Sequence, residues 1–203
     1  YVDTLRIQQE FGHGVHFFPR GDQRELRELA GLLGSEPVSA VFCEFPSNPL
    51  LNSANLTALS ELGRRHGFPL IVDETLGTYV NVDLRPVADV LITSLTKYFT
   101  GAGDVLAGAA VLNPQSPWFE ALREALAGEY EDLLWGGDAL ALASCSADFP
   151  IRVQQINRTA EQVVDFCRLH PAVAEVYYPK LVSPANYAAV QRSGAGYGGL
   201  FSL

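Results

Sequence analysis

Short apolar runs alternate with longer amphipathic stretches along the chain, and that alternation predicts an α/β layered domain. Asp3 to Phe11 reads as a helix leading into a short strand, Val15 to Phe18. Asp22 caps the next helix, with Glu25 three residues on as a capping box; Leu26, Leu29, Leu32 and Leu33 share one face, and Gly34 ends it. Val38 to Cys43 is a near-continuous apolar run, the pattern of a strand covered on both faces. After the loop EFPSNP, a helix runs from Ala54 to His66 and closes at Gly67. Leu70 to Val72 forms a buried strand ending at Asp73, Asp89 to Ser94 another, and Val105 to Leu112 a fourth beyond a glycine-containing loop. From Pro117 the pattern turns helical: Trp118 to Leu126, Asp138 to Ser144, and a long helix from Phe149 to His170. Residues 1–160 are expected to form a large domain incomplete at its N-terminus. Residues 161–203 are expected to form a connecting helix and the truncated start of a smaller α/β domain, ending in LFSL as a strand without sheet partners.

Composition narrows the class. With 48% hydrophobic and 18% charged residues among 203, the chain has the apolar content of a packed globular protein. No apolar run approaches the roughly eighteen residues of a membrane helix. A net charge of -9, from 14 basic and 23 acidic residues, argues against nucleic acid or an anionic membrane as the main partner. The three cysteines make neither an even disulfide set nor a metal pairing, and the four histidines show no ligand spacing. These features predict reduced thiols in a cytoplasmic protein with no metal site. Methionine is absent, so the chain reads as processed, excised or incomplete, and YVDTLRIQQEF has no features of a targeting peptide. Lysine occurs only at Lys97 and Lys180, which leaves two candidates for any amine chemistry.

Several motifs have plainer readings. Arg20-Gly21-Asp22 is a helix cap rather than an adhesion signal. Gly194, Gly196 and Gly199 match a dinucleotide fingerprint, yet no helix follows them. The sequons at Asn55 and Asn157 lack a secretory context.

The informative constellation lies at the C-terminal ends of the expected parallel strands, where open α/β sheets place ligands. Asn48 follows VFCEF, Asp73 ends LIV, and Ser94, Thr96 and Lys97 follow DVLIT, with Tyr1 and Thr75 as ring-stacking groups. Each residue alone has a local explanation: a turn cap, a hydroxyl bonded to its own backbone, a solvated amine. Together they supply a carboxylate, two hydroxyls and an amine, the set needed by a phosphorylated pyridine aldehyde.

At these positions the sequence resembles a known family. EFPSNPLL, IVDETLGTYVN and SLTKYFTGAGDVLAG are similar to the signature stretches of the pyridoxal-phosphate enzymes of cysteine and methionine metabolism, nearest to the fungal-type cystathionine gamma-synthases. YVDT and GYGGLFSL extend the resemblance over nearly the whole chain. It implies a fold-type I transferase whose mostly parallel sheet is sandwiched by helices, with pyridoxal 5'-phosphate as cofactor. It implies that Lys97 forms the Schiff base, Asp73 pairs with the pyridine nitrogen, Ser94 and Thr96 hold the phosphate, and Tyr1 and Thr75 flank the ring. Asn48 would sit near the ring hydroxyl and the substrate carboxylate.

The implied reaction is γ-replacement on an activated homoserine ester by a thiol, usually cysteine, within transsulfuration and methionine biosynthesis. Lys97 would be the proton carrier and Tyr1 its assistant. A homodimeric site within a homotetramer is implied, with no nucleic acid or membrane partner. The alternatives are cystathionine or methionine γ-elimination, or a truncated, inactive assembly partner. The family's phosphate-binding glycine segment would precede Tyr1, the arginine gripping the substrate carboxylate would follow Leu203, and a neighbouring subunit would add a tyrosine and an arginine. The segment alone is therefore expected to be neither active nor a stable monomer.

Overall fold

The computed structural model describes residues 1–203. Its centre is a four-stranded sheet in the order β1-β2-β3-β4, built from β1 (Val41–Glu44), β2 (Leu70–Asp73), β3 (Val90–Ser94) and β4 (Gly108–Leu112). The first three strands are parallel, with Glu44 opposite Asp73 and Asp73 opposite Ile92. The last is antiparallel, with Ser94 opposite Gly108. Parallel strands need crossover connections, and the helix between β1 and β2 supplies one.

That helix is α3, and before it come α1 (Val2–Phe11) and α2 (Gln23–Leu32); α3 spans Leu56–His66. The Asp22 carboxylate accepts the N–H groups of Arg24 and Glu25 at the start of α2. Glu25 answers by accepting the N–H groups of Arg20 and Gly21, so the reciprocal cap closes just upstream of its usual partner. In α3, Leu56, Leu59 and Leu62 bury one helical face, Asn55 caps the start, and Gly67 closes the end in a left-handed conformation (φ 79°). These leucines pack with Phe45, Phe68, Leu70 and Val72 in the main core. Burying side chains of this kind stabilises by roughly 1.5–3 kcal/mol each.

A short helix α4 (Thr78–Asn81) precedes β3, and α5 (Phe119–Glu129), α6 (Gly136–Cys145) and α7 (Phe149–Leu169) follow β4. After α7 come two short helices, α8 (Pro179–Val182) and α9 (Pro184–Ala188). Tyr187 and Val190 enter the main core, while Tyr178 and Val176 pack with Val164 and Cys167 in a smaller cluster beneath α7. Asn81 and Asn157 exchange amide hydrogen bonds in the interior, and Gly198 N–H donates to Asn157 Oδ1 at 2.9 Å. The glycine tract follows from that seam: a Cβ at Gly196 would stand 2.5 Å from Asn157. The tract serves close packing. Both sequon asparagines have interior or capping roles, Asn157 in this seam and Asn55 at α3.

Three sequence expectations are corrected. Val15 to Phe18 forms no strand; Phe17 is exposed, Phe18 packs on the core, and the tetrapeptide pairs with no sheet edge. LFSL is reduced to a single antiparallel bridge between Ser202 and Tyr177, with the Ser202 hydroxyl donating to Pro49 O at 2.6 Å. The runs at Val38 and Val105 enter the sheet only at Val41 and Gly108, because the residues before them lie outside the ladder registers.

Candidate active site

Parallel pairing brings the C-terminal ends of β1, β2 and β3 to one edge of the sheet. Asp73 ends β2, half-buried, and its Oδ1 accepts two bonds from Thr75: the backbone N–H at 2.9 Å and the hydroxyl at 2.6 Å. The first is an Asx turn, which explains why the chain leaves the strand at this residue. The Thr75 oxygen in turn accepts the Ser94 N–H at 2.8 Å. A directed string therefore runs from the end of β3 through Thr75 to the Asp73 carboxylate. Asp73 Oδ2 receives no donor in this string and remains available.

The chain continues from Ser94 into one π-type turn, Leu95–Phe99, closed by Thr100 N–H donating to Leu95 O at 3.1 Å. Such turns recur at functional sites. Thr96 pins it: its hydroxyl accepts the Ala107 N–H at 3.1 Å and donates to Ala107 O at 3.3 Å, just ahead of β4. Lys97 sits mid-turn with non-helical angles (φ -89°, ψ -108°) and its side chain exposed. The other lysine is engaged, since Lys180 Nζ donates to Glu161 at 2.6 Å.

On the β1 side, the Glu44 carboxylate accepts the Asn48 N–H at 3.1 Å. The Tyr1 side chain is exposed, and hydrogen bonding to Asp3 raises its phenol above the usual range. Asn48 is exposed in a turn whose Phe45–Pro46 and Asn48–Pro49 bonds are both cis. Asp73, Thr75 and Ser94 are thus directly linked, Thr96 and Lys97 follow in the adjoining turn, and Asn48 is held at Glu44, the cross-strand partner of Asp73, while the Tyr1 side chain is exposed and not joined to them.

Four residues were not anticipated. Glu44 ends an apolar run just as Asp73 does, so its signal was present. Glu74 is buried, and desolvation with the charge of Asp73 pushes its carboxyl up to about 8. Burial and Asp73 likewise push the Cys43 thiol up to about 12. Arg152, on α7, donates to the carbonyls of Tyr98 and Phe99 at 2.7 and 3.1 Å. No local pattern connects it to a turn more than fifty residues earlier.

The donor set suits pyridoxal phosphate (PLP) in kind. An available carboxylate oxygen can face a protonated pyridine, an exposed amine can meet an aldehyde, and Ser94 with turn N–H groups can meet a phosphate. Thr96 fits less freely, because its proton already points to Ala107 O.

Comparison with known proteins agrees with this chemistry. The family described as "Cys/Met metabolism PLP-dependent enzyme" matches residues 5–203. The chain is 40% identical to the cystathionine gamma-synthase-like enzyme iboG2 of Amanita muscaria, over all of this chain and 37% of that protein. It is also 40% identical to a cystathionine gamma-synthase of Neurospora crassa, over all of this chain and 33% of that protein. The chain thus spans about a third of the length of the curated relatives it matches. A solved structure, CalE6, a methionine gamma lyase from Micromonospora echinospora, superposes with a TM-score of 0.83 at 24% identity, over 98% of this chain and 53% of that one. That likeness shows the fold: a fold-type I layered α/β architecture.

Proposed function

Since the chain belongs to the Cys/Met metabolism PLP-dependent enzyme family, we propose that the whole protein performs γ-replacement on an activated homoserine ester. A thiol, cysteine in the simplest case, replaces the γ-substituent: proton removal at Cα and then Cβ breaks the γ C–O bond and expels a carboxylate, and the thiol then adds to form a C–S bond at the γ-carbon. The supporting observation is the string from Ser94 through Thr75 to Asp73, which ties a carboxylate to the end of the strand that leads into the Lys97 turn. The choice of replacement follows the names of the relatives that are 40% identical.

Bound PLP supplies an aldehyde that captures amines and a ring that takes up carbanion charge. In this reading Lys97 anchors it, Asp73 faces the ring nitrogen, and Ser94 and Thr96 hold the phosphate. Thr75 orients Asp73 and flanks the ring with Tyr1, and Asn48 orients the substrate carboxylate. In this reading the Lys97 amine would carry protons from the substrate's Cα and Cβ, with Tyr1 assisting. A carboxylate held at the ring nitrogen is the electrostatic contribution of this chain.

Residues 1–160 belong in this reading to the large cofactor domain, and 161–203 lead toward a smaller one. The substrates are small amino acids, the assembly is a homodimer or homotetramer, and the enzyme works in the cytoplasm. No helix of the chain is long and apolar enough to cross a membrane.

The test is product analysis of the full-length protein with an acylated homoserine, with and without cysteine. A thioether formed only with cysteine supports the reading. Ammonia and a 2-keto acid released equally in both assays would mean elimination. A full-length protein that binds no PLP would overturn the enzyme reading in favour of an assembly role.

A further inference from the structure

The carbonyls of the Leu95–Phe99 turn fall into two groups. Leu95 O accepts Thr100 N–H at 3.1 Å, Thr96 O accepts the Thr100 hydroxyl at 3.1 Å, and Lys97 O accepts Gly101 N–H at 3.0 Å. The last two, Tyr98 O and Phe99 O, depend on Arg152: Nη1 donates to the first at 2.7 Å and Nη2 to the second at 3.1 Å. Terminal carbonyls of a helical turn carry partial negative charge, and a cationic donor satisfies both needs at once.

The same guanidinium is fixed from behind. Its Nη2 donates to Cys145 O at 2.8 Å, and Nε and Nη2 reach Asp148 Oδ1 at 3.2 and 3.0 Å. One planar fork thus ties the Lys97 turn to the end of α6 and the start of α7. Gly101 completes the fit. It holds φ 76°, and a Cβ there would collide with Arg152 Nη1.

We infer that Arg152 is a positioning residue for Lys97: by holding the Tyr98 and Phe99 carbonyls it sets where the Lys97 amine stands relative to Asp73. Arg152 acts through the turn's backbone rather than on any reacting atom. Lysine cannot reproduce the hold, because a point ammonium lacks the planar fork that serves three carbonyls and a carboxylate together. The inference rests on the reading that Lys97 anchors the cofactor.

The test uses the full-length protein with Arg152→Met, Arg152→Lys and Lys97→Ala. The readouts are the PLP concentration needed to form the lysine-linked visible band, the pH midpoint of that band, and the unfolding midpoint of the cofactor-free protein. Arg152→Met is expected to weaken band formation about ten- to a hundred-fold, the scale of a misplaced reacting group. Its pH midpoint should move, and Arg152→Lys should recover only part of either change. Should Arg152→Met fail to fold, the same two optical readouts on Arg152→Lys decide. A wild-type pH midpoint and PLP requirement in a folded Arg152 variant, alongside loss of the band in Lys97→Ala, would overturn the positioning role alone. A band that survives in Lys97→Ala would instead overturn the Lys97 reading, and this inference with it.

Discussion

Thr75 donates its hydroxyl proton to Asp73 Oδ1 at 2.6 Å while its oxygen accepts the Ser94 N–H at 2.8 Å, so one small side chain joins the ends of two strands. Valine would keep the shape, remove the donor to Asp73 and leave the Ser94 N–H unpaired. Thr75→Val is expected to cost roughly 1–3 kcal/mol in denaturant unfolding. It should also lower turnover, and Thr75→Ser should restore most of both. Equal losses in the serine variant would show that the methyl group, not the hydroxyl, matters.

Asp73→Asn separates holding the cofactor from using it. Asparagine keeps an oxygen for Thr75 but brings no charge to the ring nitrogen. The variant should retain PLP and lose about 100- to 1000-fold in kcat, the scale of one displaced electrostatic group, about 2.7–4 kcal/mol. Steady-state kinetics on the PLP-loaded variant checks this, and a near-normal kcat would reduce Asp73 to a turn-former.

The two lysines predict opposite outcomes. Lys180 is committed to Glu161 and lies 5.7 Å from the Tyr197 ring centroid, whereas Lys97 stands exposed on its turn. Lys180→Ala should keep a borohydride-reducible PLP adduct; Lys97→Ala should lose it. Peptide mapping of the reduced adduct decides, and label on any residue other than Lys97 refutes the assignment.

What could be read from the chain depended on how local each signal was. Asp22 and Gly67 act within a few residues, and their caps formed as the pattern implied. LIVD and DVLITS are buried runs with their functional residues at the C-terminal end, so parallel pairing alone aligned Asp73 with the residues leading to Lys97. Val15 to Phe18 misled because an apolar tetrapeptide becomes a strand only where an edge accepts it. Arg152 was illegible for the opposite reason: its partners at Tyr98, Phe99 and Cys145 come together only when α6 and α7 pack on the turn.

Glu74 predicts a pH dependence. Its carboxyl is raised from 4.5 to about 8, chiefly by burial and then by Asp73, with Arg192 opposing. The folded protein therefore holds a proton that the unfolded chain releases, and stability falls as pH rises from 4.5 through about 8. Each pH unit in that window costs at most about 1.4 kcal/mol. Glu74→Gln removes this slope, so the variant's stability relative to wild type should improve steadily between pH 5 and 8. Urea unfolding across that range tests it; a constant difference would mean that Glu74 is ionised in the folded state.

The Asn81–Asn157 pair yields the last prediction. Asn157 Nδ2 donates to Asn81 Oδ1 at 2.7 Å, Asn81 Nδ2 returns a bond at 3.2 Å, and Gly198 N–H adds a third at 2.9 Å. Both side chains are buried, Asn81 completely, so neither amide can turn to water instead. Asn157→Leu strands the Asn81 amide and the Gly198 N–H, each worth roughly 1–3 kcal/mol when left unsatisfied. The variant should lose roughly 2–5 kcal/mol, and the glycine tract after Arg192 should become the first site of proteolysis. Asn81→Leu with Asn157→Leu removes the partners together, so the double variant should cost clearly less than the two single losses combined. Strictly additive losses in urea would show that the amides stabilise the seam through separate partners rather than through each other.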